Sequence, residues 1–144
     1  MKSLLTISIV ISIAFSQQGL NINDLEASPS GKQMYPYSGK IFDYWGNGNS
    51  KLRGRFRDGL RNGKWTFWHP NGQKKAEGKF FDGDGSELSE ETGISRNGRT
   101  GNWSYYYENG TQWKDGKWKD GIPKGEHIVW YPNGNTKVIE TFEN

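Results

Sequence analysis

The chain has 144 residues and a formal net charge of +3; 15% of its residues are aromatic, and it contains 20 glycines. This length accommodates one domain, and so high an aromatic content is the opposite of the composition of a disordered chain. The sequence contains no cysteine, which excludes a disulfide framework, a thiolate zinc site and a thiol nucleophile. The net charge is too small to indicate a nucleic-acid partner by itself.

The first stretch of the chain, MKSLLTISIVISIAFS, has the pattern of a secretory signal peptide over residues 1–16. Lys2 supplies the positive charge, an apolar run follows, and the small residues Ala14 and Ser16 precede the expected cleavage after Ser16. The apolar run of about 12 residues is shorter than the roughly 20 that span a bilayer. We therefore predict a secreted or periplasmic protein without a transmembrane segment in the mature chain. Residues 17–36 are polar and are predicted to form a flexible N-terminal arm.

The rest of the chain, residues 37–144, repeats one unit four times. The copies begin with GKIFDYWGNG at Gly39, GKWTFWHPNG at Gly63, GNWSYYYENG at Gly101 and GEHIVWYPNG at Gly125. They start 24 residues apart, except that 38 residues separate the second from the third, which places an insertion at about 84–98. Short turns join antiparallel neighbours. The repeat therefore predicts an all-β fold, an elongated single-layer antiparallel meander of about four tandem 24-residue β-hairpins with eight strands.

Each Asn-Gly pair is predicted to be the turn of a hairpin. The turn residues are Asn47, Gly48, Asn71, Gly72, Asn109, Gly110, Asn133 and Gly134. A two-residue loop would pair Trp65 with Gly78, and Trp103 with Gly116, so that each indole would lie over its partner glycine. However, Pro70 and its counterpart in the fourth copy lack the N–H that closes such a loop, which favours a three-residue loop there. The connections between hairpins are predicted to be Asp-Gly plus three or four residues.

The pattern G-x-W-x-[FY]-[YW]-x-x-N-G, followed by G-K-[FW]-x-D-G, resembles the MORN-variant repeat of many bacterial proteins, some of them labelled antitoxins. The resemblance covers about residues 37–144. It implies an elongated, twisted single-layer sheet, often curled into a shallow groove, and no catalytic residues. A cytoplasmic antitoxin would need no signal peptide, so that label transfers poorly. Four residues of the end copies depart from the pattern, as expected for the caps of a repeat array: Ile41, Asp43, His127 and Glu140.

Two sets of residues are candidates for a binding surface. The first is the aromatic column of Tyr44, Trp68, Tyr106 and Trp130; the residues that follow, Trp45, His69, Tyr107 and Tyr131, must point to the opposite face. The second is a basic ridge of Lys51, Arg53, Arg55 and Arg57, with Lys64, Lys75, Lys79, Lys117 and Lys119 on neighbouring strands. The aromatic columns are either the packing of a one-layer sheet or a platform for sugar rings or a partner's apolar residues. The ridge is either a solvated face or a contact for phospholipid head groups or an acidic polysaccharide.

The insertion loosely resembles a calcium loop. Asp82, Asp84, Ser86 and Glu90 stand at positions 1, 3, 5 and 9 of such a loop, but the glycine and glutamate expected at positions 6 and 12 are missing. We therefore expect an acidic mobile hairpin or loop here, with a calcium loop as the alternative. The two histidines, His69 and His127, both occupy aromatic-column positions, and no nucleotide-binding or nucleophile motif is present. We therefore predict no enzymatic activity, no metal and no cofactor.

These observations favour a secreted or periplasmic non-catalytic repeat scaffold that binds a protein partner or a component of the cell envelope. Two alternatives stay open at this point. One is a carbohydrate-binding module that uses the aromatic columns, and the other is an antitoxin-type protein that neutralises a partner. Nucleic acid is not expected as a partner of an exported protein.

Overall fold

The computed structural model describes residues 19–22 and 37–143, which form one nine-stranded sheet. Every strand is hydrogen-bonded to the next strand in sequence. The strands are β1 (Leu20–Asn21), β2 (Gly39–Tyr44), β3 (Ser50–Arg57), β4 (Leu60–Trp68), β5 (Lys74–Gly83), β6 (Arg99–Tyr106), β7 (Gln112–Lys119), β8 (Ile122–Trp130) and β9 (Thr136–Phe142). From β2 to β9 all neighbours are antiparallel. The predicted all-β meander of hairpin repeats is confirmed.

The ninth strand, β1, comes from the segment that was expected to be a flexible arm. Leu20 and Asn21 pair in parallel with Ile41 and Phe42, so these arm residues extend the first edge of the sheet instead. The other residues of the arm, and the proposed signal peptide at 1–16, lie outside the described residues. Within the described ranges, no helix is long and apolar enough to cross a membrane.

Each hairpin turn is a three-residue loop. In the second repeat the N–H of His69 donates to the carbonyl of Gln73 at 2.8 Å, and the N–H of Gly72 donates to the carbonyl of His69 at 2.9 Å. Gly72 has a φ of 87°, in the left-handed region that completes this type of turn. The same two hydrogen bonds recur at the other three turns. The loop predicted for the two proline-containing turns is therefore common to all four.

A β-bulge follows each of these turns and changes the register of the hairpin by one residue. In the second repeat the pairing skips Lys75, and Trp65 consequently lies opposite Gly78, as a two-residue loop would also have placed it. The other hairpins skip Lys51, Trp113 and Lys137 in the same way. The three-residue loop and the Trp–Gly pairing therefore occur together, although they had been expected to exclude each other.

The connections between hairpins are shorter than predicted. Arg57 pairs directly with Leu60, and the two residues between them, Asp58 and Gly59, have φ values of 49° and 77°. Positive φ at both central residues defines a type I′ turn, which matches the twist of the flanking strands. The residues after Asp-Gly therefore belong to the next strand.

The two faces of the sheet differ in burial. One face, here called the covered face, contains the core residues Ile41, Trp65, Ala76, Phe80, Trp103 and Tyr105. The insertion packs on this face through the buried residues Thr92, Ile94 and Ser95, so it is not the mobile loop that was expected. The opposite side, here called the open face, contains the alternating residues between them, such as Arg53, Thr66 and Glu77.

The large rings of the covered face lie over glycines of the preceding hairpin. A Cβ on Gly78 would lie 2.2 Å from the indole of Trp103, and Trp65 and His127 cover Gly54 and Gly116 in the same manner. The rings therefore cover strand glycines, as the two-residue alternative implied, but each ring leans across to the strand before it rather than over its own paired glycine. The Trp103 indole N–H also donates to the Lys79 carbonyl at 3.0 Å. His127 Nε2 makes the equivalent bond to the Lys117 carbonyl at 2.8 Å. These rings thus join each hairpin to the previous one by packing, and the third and fourth hairpins also by a hydrogen bond.

Candidate functional site

The predicted aromatic column lies on the open face, at the end of the first strand of each hairpin. Tyr44 is 46% exposed, and Trp68, Tyr106 and Trp130 are half-buried. The Arg53 guanidinium lies 5.8 Å from the centre of the Trp68 ring, and the Lys74 ammonium lies 5.6 Å from that of Tyr106. Because these cations cover two of the four rings, the column is a weaker platform for sugar rings than the sequence suggested.

The adjacent aromatic column joins the hairpins to one another. The Trp45 indole N–H donates to the carbonyl of Trp68 at 3.1 Å, and the Tyr107 hydroxyl donates to the carbonyl of Trp130 at 2.7 Å. His69 makes the equivalent bond through Nε2 to the carbonyl of Tyr106, at 2.9 Å. This geometry gives His69 a structural partner rather than a place in a catalytic group.

The turn asparagines have a similar role. The side-chain amide of Asn47 donates to the carbonyl of Pro70, and that of Asn71 donates to the carbonyl of Glu108, both at 2.7 Å. At all four turns the asparagine side-chain oxygen also accepts the N–H of the residue two positions later. The turns therefore form a connected edge along one side of the sheet.

The structure divides the predicted basic ridge between the two faces. Arg53 and Arg55 lie on the open face with Arg57, whose guanidinium binds the Asp82 carboxylate at 2.8 Å. Lys51 does not lie there, because the bulge directs its side chain to the covered face, where its Nζ is 2.9 Å from Asp43. The prediction that all four residues share one face is therefore wrong for Lys51. Lys75, the bulged residue of the next hairpin, also lines the covered face.

Like charges lie directly opposite each other at three places in the sheet. Lys40 pairs with Arg55, Lys64 with Lys79, and Lys117 with Lys124. We call these six residues the cationic stripe. Among the described residues, Glu77 is in ion-pair contact with one of them, at 2.9 Å from Lys64. Because like charges in direct cross-strand pairs are destabilising, the arrangement of this stripe opposes folding.

Glu77 and Asp43 are two of the sheet's carboxylates with lowered pKa values. The hydrogen bond from Lys64 is the main cause of the lowered pKa of Glu77, with a second contribution from Lys74. Burial by itself would raise the pKa of Asp43, but hydrogen bonds from Lys51 and from the N–H of Tyr44 outweigh it and lower this pKa. Both carboxylates therefore stabilise the fold in their ionised form.

We expect these two groups to make the stability fall in acid. Each carboxylate has a lower pKa in the folded state than in the unfolded state. Its ionisation therefore stabilises the fold fully above the unfolded pKa, and this stabilisation is lost as the pH falls through the folded pKa. The loss should therefore begin near pH 4.5 for Glu77 and near 3.8 for Asp43. Urea unfolding at pH 6 and pH 3 measures how far the free energy of unfolding falls in acid. Glu77→Gln and Asp43→Asn should each reduce that fall by on the order of 1 kcal/mol. The exposed Glu126→Gln is the control, and an equal effect there would contradict the assignment.

Two of the acidic residues that resemble calcium ligands, Asp82 and Asp84, have hydrogen-bond partners within the chain. The Asp82 carboxylate accepts hydrogen bonds from Arg57 and from Asn62, and Asp84 accepts from the N–H and the hydroxyl of Ser86. In the part of the chain that the structure describes, no group of three or more His, Asp or Glu residues could hold a metal ion. These carboxylates therefore serve turns and ion pairs.

Sequence reasoning missed the residue that anchors the insertion. Arg99 is 2% exposed, and its guanidinium donates to the carbonyls of Ser95 and Ile94, both at 2.8 Å, and to the hydroxyl of Tyr105. It is also sandwiched between the rings of Trp103 and Trp118, each centred 4.8 Å away. A signal existed, since Arg61 occupies the same position of the second repeat, two residues before its first glycine.

Comparison with known families identifies the repeat. A family model described as MORN repeat variant matches residues 61–82, 99–112 and 123–144. The first and third segments contain the hairpins that begin at β4 and β8. The second contains the first strand and the turn of the hairpin that begins at β6. No curated protein and no solved structure gives a match to the chain.

Proposed function

Because the chain carries MORN-variant repeats, we propose that it is a non-catalytic scaffold which, once exported, binds an acidic polysaccharide of the cell envelope along the cationic stripe. The repeat motif accounts for the hairpins, the turn glycines and the ring columns as structural parts. The motif includes the lysines at Lys79 and Lys117, but it does not require the cations opposite them, Lys64 and Lys124, or the Lys40–Arg55 pair.

The observation that carries the proposal is the direct pairing of like charges. Three separate strand pairs each place two cations opposite one another, and one of these six cations has a carboxylate partner among the described residues. Neighbouring strands are about 4.8 Å apart, so the first two pairs place four cations on four adjacent strands within about 15 Å. A linear polyanion with closely spaced charges would relieve this repulsion, whereas a neutral ligand would not.

The surroundings of the stripe favour a sugar polymer over a lipid surface. Tyr44 and Trp130 lie on the same face, and within the described residues no cation covers either ring. Aromatic rings of this kind stack on sugar rings, while the stripe supplies the charges for carboxylates on the polymer. The predicted signal peptide supports a location at which such polymers occur.

Neutralising two stripe cations should weaken binding to an acidic polysaccharide. The double variant Arg55→Gln/Lys79→Gln removes one cation from each of two like-charge pairs, and neither residue is in an ion pair with a described carboxylate. We expect its affinity for polygalacturonate at low salt to fall about tenfold or more, with the wild-type affinity falling as salt is added. Its stability should be unchanged or slightly higher, because cross-strand repulsion is removed.

The matched control is Lys114→Gln/Lys137→Gln, which changes the net charge equally but acts on the covered face. Phosphatidylglycerol vesicles and neutral dextran are the comparison ligands. Equal loss of polygalacturonate binding in both double variants would contradict a role for the stripe. Binding of the vesicles but not of polygalacturonate would replace the polysaccharide by a lipid surface.

A further inference from the structure

A cleft on the covered face, opposite the cationic stripe, has features of a second binding site. It has a volume of about 270 Å³ and lies between the turn ends of the first two hairpins and the insertion. Its apolar lining includes Trp45, Leu52, Phe67, Phe80, Leu88 and Ile94. The polar part of the lining contains three cations, Lys51, Arg61 and Lys75, together with Thr92 and Ser95, and no acidic residue is among the described lining residues. We call this the basic cleft.

Two of the cations enter the cleft because of the β-bulges. Lys51 and Lys75 are the skipped residues of the first two hairpins, and a regular ladder would have placed them on the open face. Lys51 reaches the Asp43 carboxylate at 2.9 Å. Lys75 has no carboxylate within ion-pair distance among the described residues, and burial lowers its pKa. A half-buried ammonium without an anionic partner is unfavourable, and an anion bound beside it would remove this cost.

The apolar lining restricts what that anion can be. Leu88, on the wall formed by the insertion, is 62% exposed although it borders a buried apolar cluster. An exposed large apolar side chain beside a concave apolar surface is typical of a contact that a partner covers. A volume of about 270 Å³ is at the small end of ligand pockets, so it suits a short segment rather than a folded surface.

We propose that the basic cleft binds an extended peptide segment of a partner protein, in which an aspartate or glutamate stands next to a large apolar residue. The carboxylate lies at Lys75 and Lys51, and the apolar side chain lies against Leu52, Phe67 and Leu88. This site is separate from the cationic stripe, on the other side of the sheet. Together the two sites would allow the protein to hold a partner protein on an envelope polymer.

A random decapeptide display selection on the full chain tests the proposal. We expect enriched peptides to carry an aspartate or glutamate beside an aromatic or large aliphatic residue. Binding of these peptides, measured by fluorescence polarisation, should fall at least tenfold for Lys75→Met and further for Lys75→Glu. The control Lys119→Glu makes the same charge change on the open face, outside the stripe, and should bind the peptides as the wild type does. Replacing the peptide's acid by glutamine should weaken binding to the wild type by a similar factor.

A charge exchange separates a direct contact from a structural effect of Lys75. A selected peptide with lysine in place of its acid should bind Lys75→Glu better than it binds the wild type. If Lys75→Glu fails to fold, as judged by circular dichroism, the Lys75→Met measurement decides alone. The proposal is overturned if no acidic peptide is enriched, or if Lys75→Met binds the enriched peptides as well as the wild type. We expect substitution of Lys79 to weaken polysaccharide binding and substitution of Lys75 to leave it unchanged, so either proposal can fail without the other.

Discussion

Replacing Arg99 with methionine is expected to lower the free energy of unfolding by about 3 kcal/mol, since each buried hydrogen bond to a charged group contributes about 1.5–3 kcal/mol. The change removes the donors to the carbonyls of Ser95 and Ile94 and to the hydroxyl of Tyr105. These acceptors lie in a buried region, so their desolvation would no longer be offset. Methionine preserves part of the packing between the two indoles, and the loss therefore reports mainly on the hydrogen bonds.

The insertion should respond more strongly than the sheet. Arg99 is the residue through which the backbone at Ile94 and Ser95 is hydrogen-bonded to β6, so its loss should expose that segment first. Hydrogen exchange should therefore accelerate at residues 92–96 before it does so in β4 and β5. Arg99→Lys keeps the charge but not the planar guanidinium, and it should regain a minor part of the stability that Arg99→Met loses.

Arg96→Met is the matched control, because Arg96 belongs to the same insertion but is exposed. We expect it to change stability by less than about 0.5 kcal/mol. Equal losses for Arg96→Met and Arg99→Met in denaturant unfolding would show that the buried guanidinium does not anchor the insertion. A selective loss at Arg99 would also have a functional consequence, since the insertion forms one wall of the basic cleft.

The sequence was sufficient to predict the features that depend on local rules. The Asn-Gly and Asp-Gly pairs, at a constant spacing, predict hairpins and their antiparallel order because a short turn leaves the chain no other neighbour. Pro70 correctly favoured the three-residue loop for a related reason, since it has no N–H to donate.

Features that depend on contacts between repeats could not be predicted in this way. The β-bulges of the first two hairpins move Lys51 and Lys75 to the covered face. The alternation of residues along a strand does not indicate where such a bulge lies. The packing of the insertion depends on Arg99, which meets Ile94 through tertiary structure. The parallel pairing of β1 involves two residues and has no sequence period. The structure therefore departs from the sequence-based predictions more at the candidate sites than in the fold.

Replacing Gly78 with alanine is expected to destabilise the protein by about 3 kcal/mol, at the upper end of the usual range for overpacking a core. The added Cβ would lie 2.2 Å from the Trp103 indole, which is fully buried and hydrogen-bonded to the Lys79 carbonyl. The ring would have to leave its position, and both the packing and the hydrogen bond would suffer. Gly46→Ala is the control, because a Cβ there meets nothing within 4 Å, and it should leave the melting temperature unchanged or slightly raised.

A double-mutant cycle tests whether Gly78→Ala destabilises the protein through a direct clash with Trp103 or because β5 tolerates no larger residue at this position. Trp103→Leu alone should cost about 3 kcal/mol through the cavity it leaves. In the Gly78→Ala background the same change should cost at least about 1 kcal/mol less, because the smaller side chain no longer meets the new methyl group. Additive losses would contradict the contact between the two residues.

The same geometry explains the last strand. Glu140 occupies in β9 the position that Gly54, Gly78 and Gly116 occupy in the earlier hairpins. A side chain at this position would meet any ring that a further repeat placed over it, since the Cβ positions of the three glycines lie within about 2.3 Å of such rings. Glu140 therefore prevents a ring from packing over β9 in the way that rings pack over the earlier strand glycines.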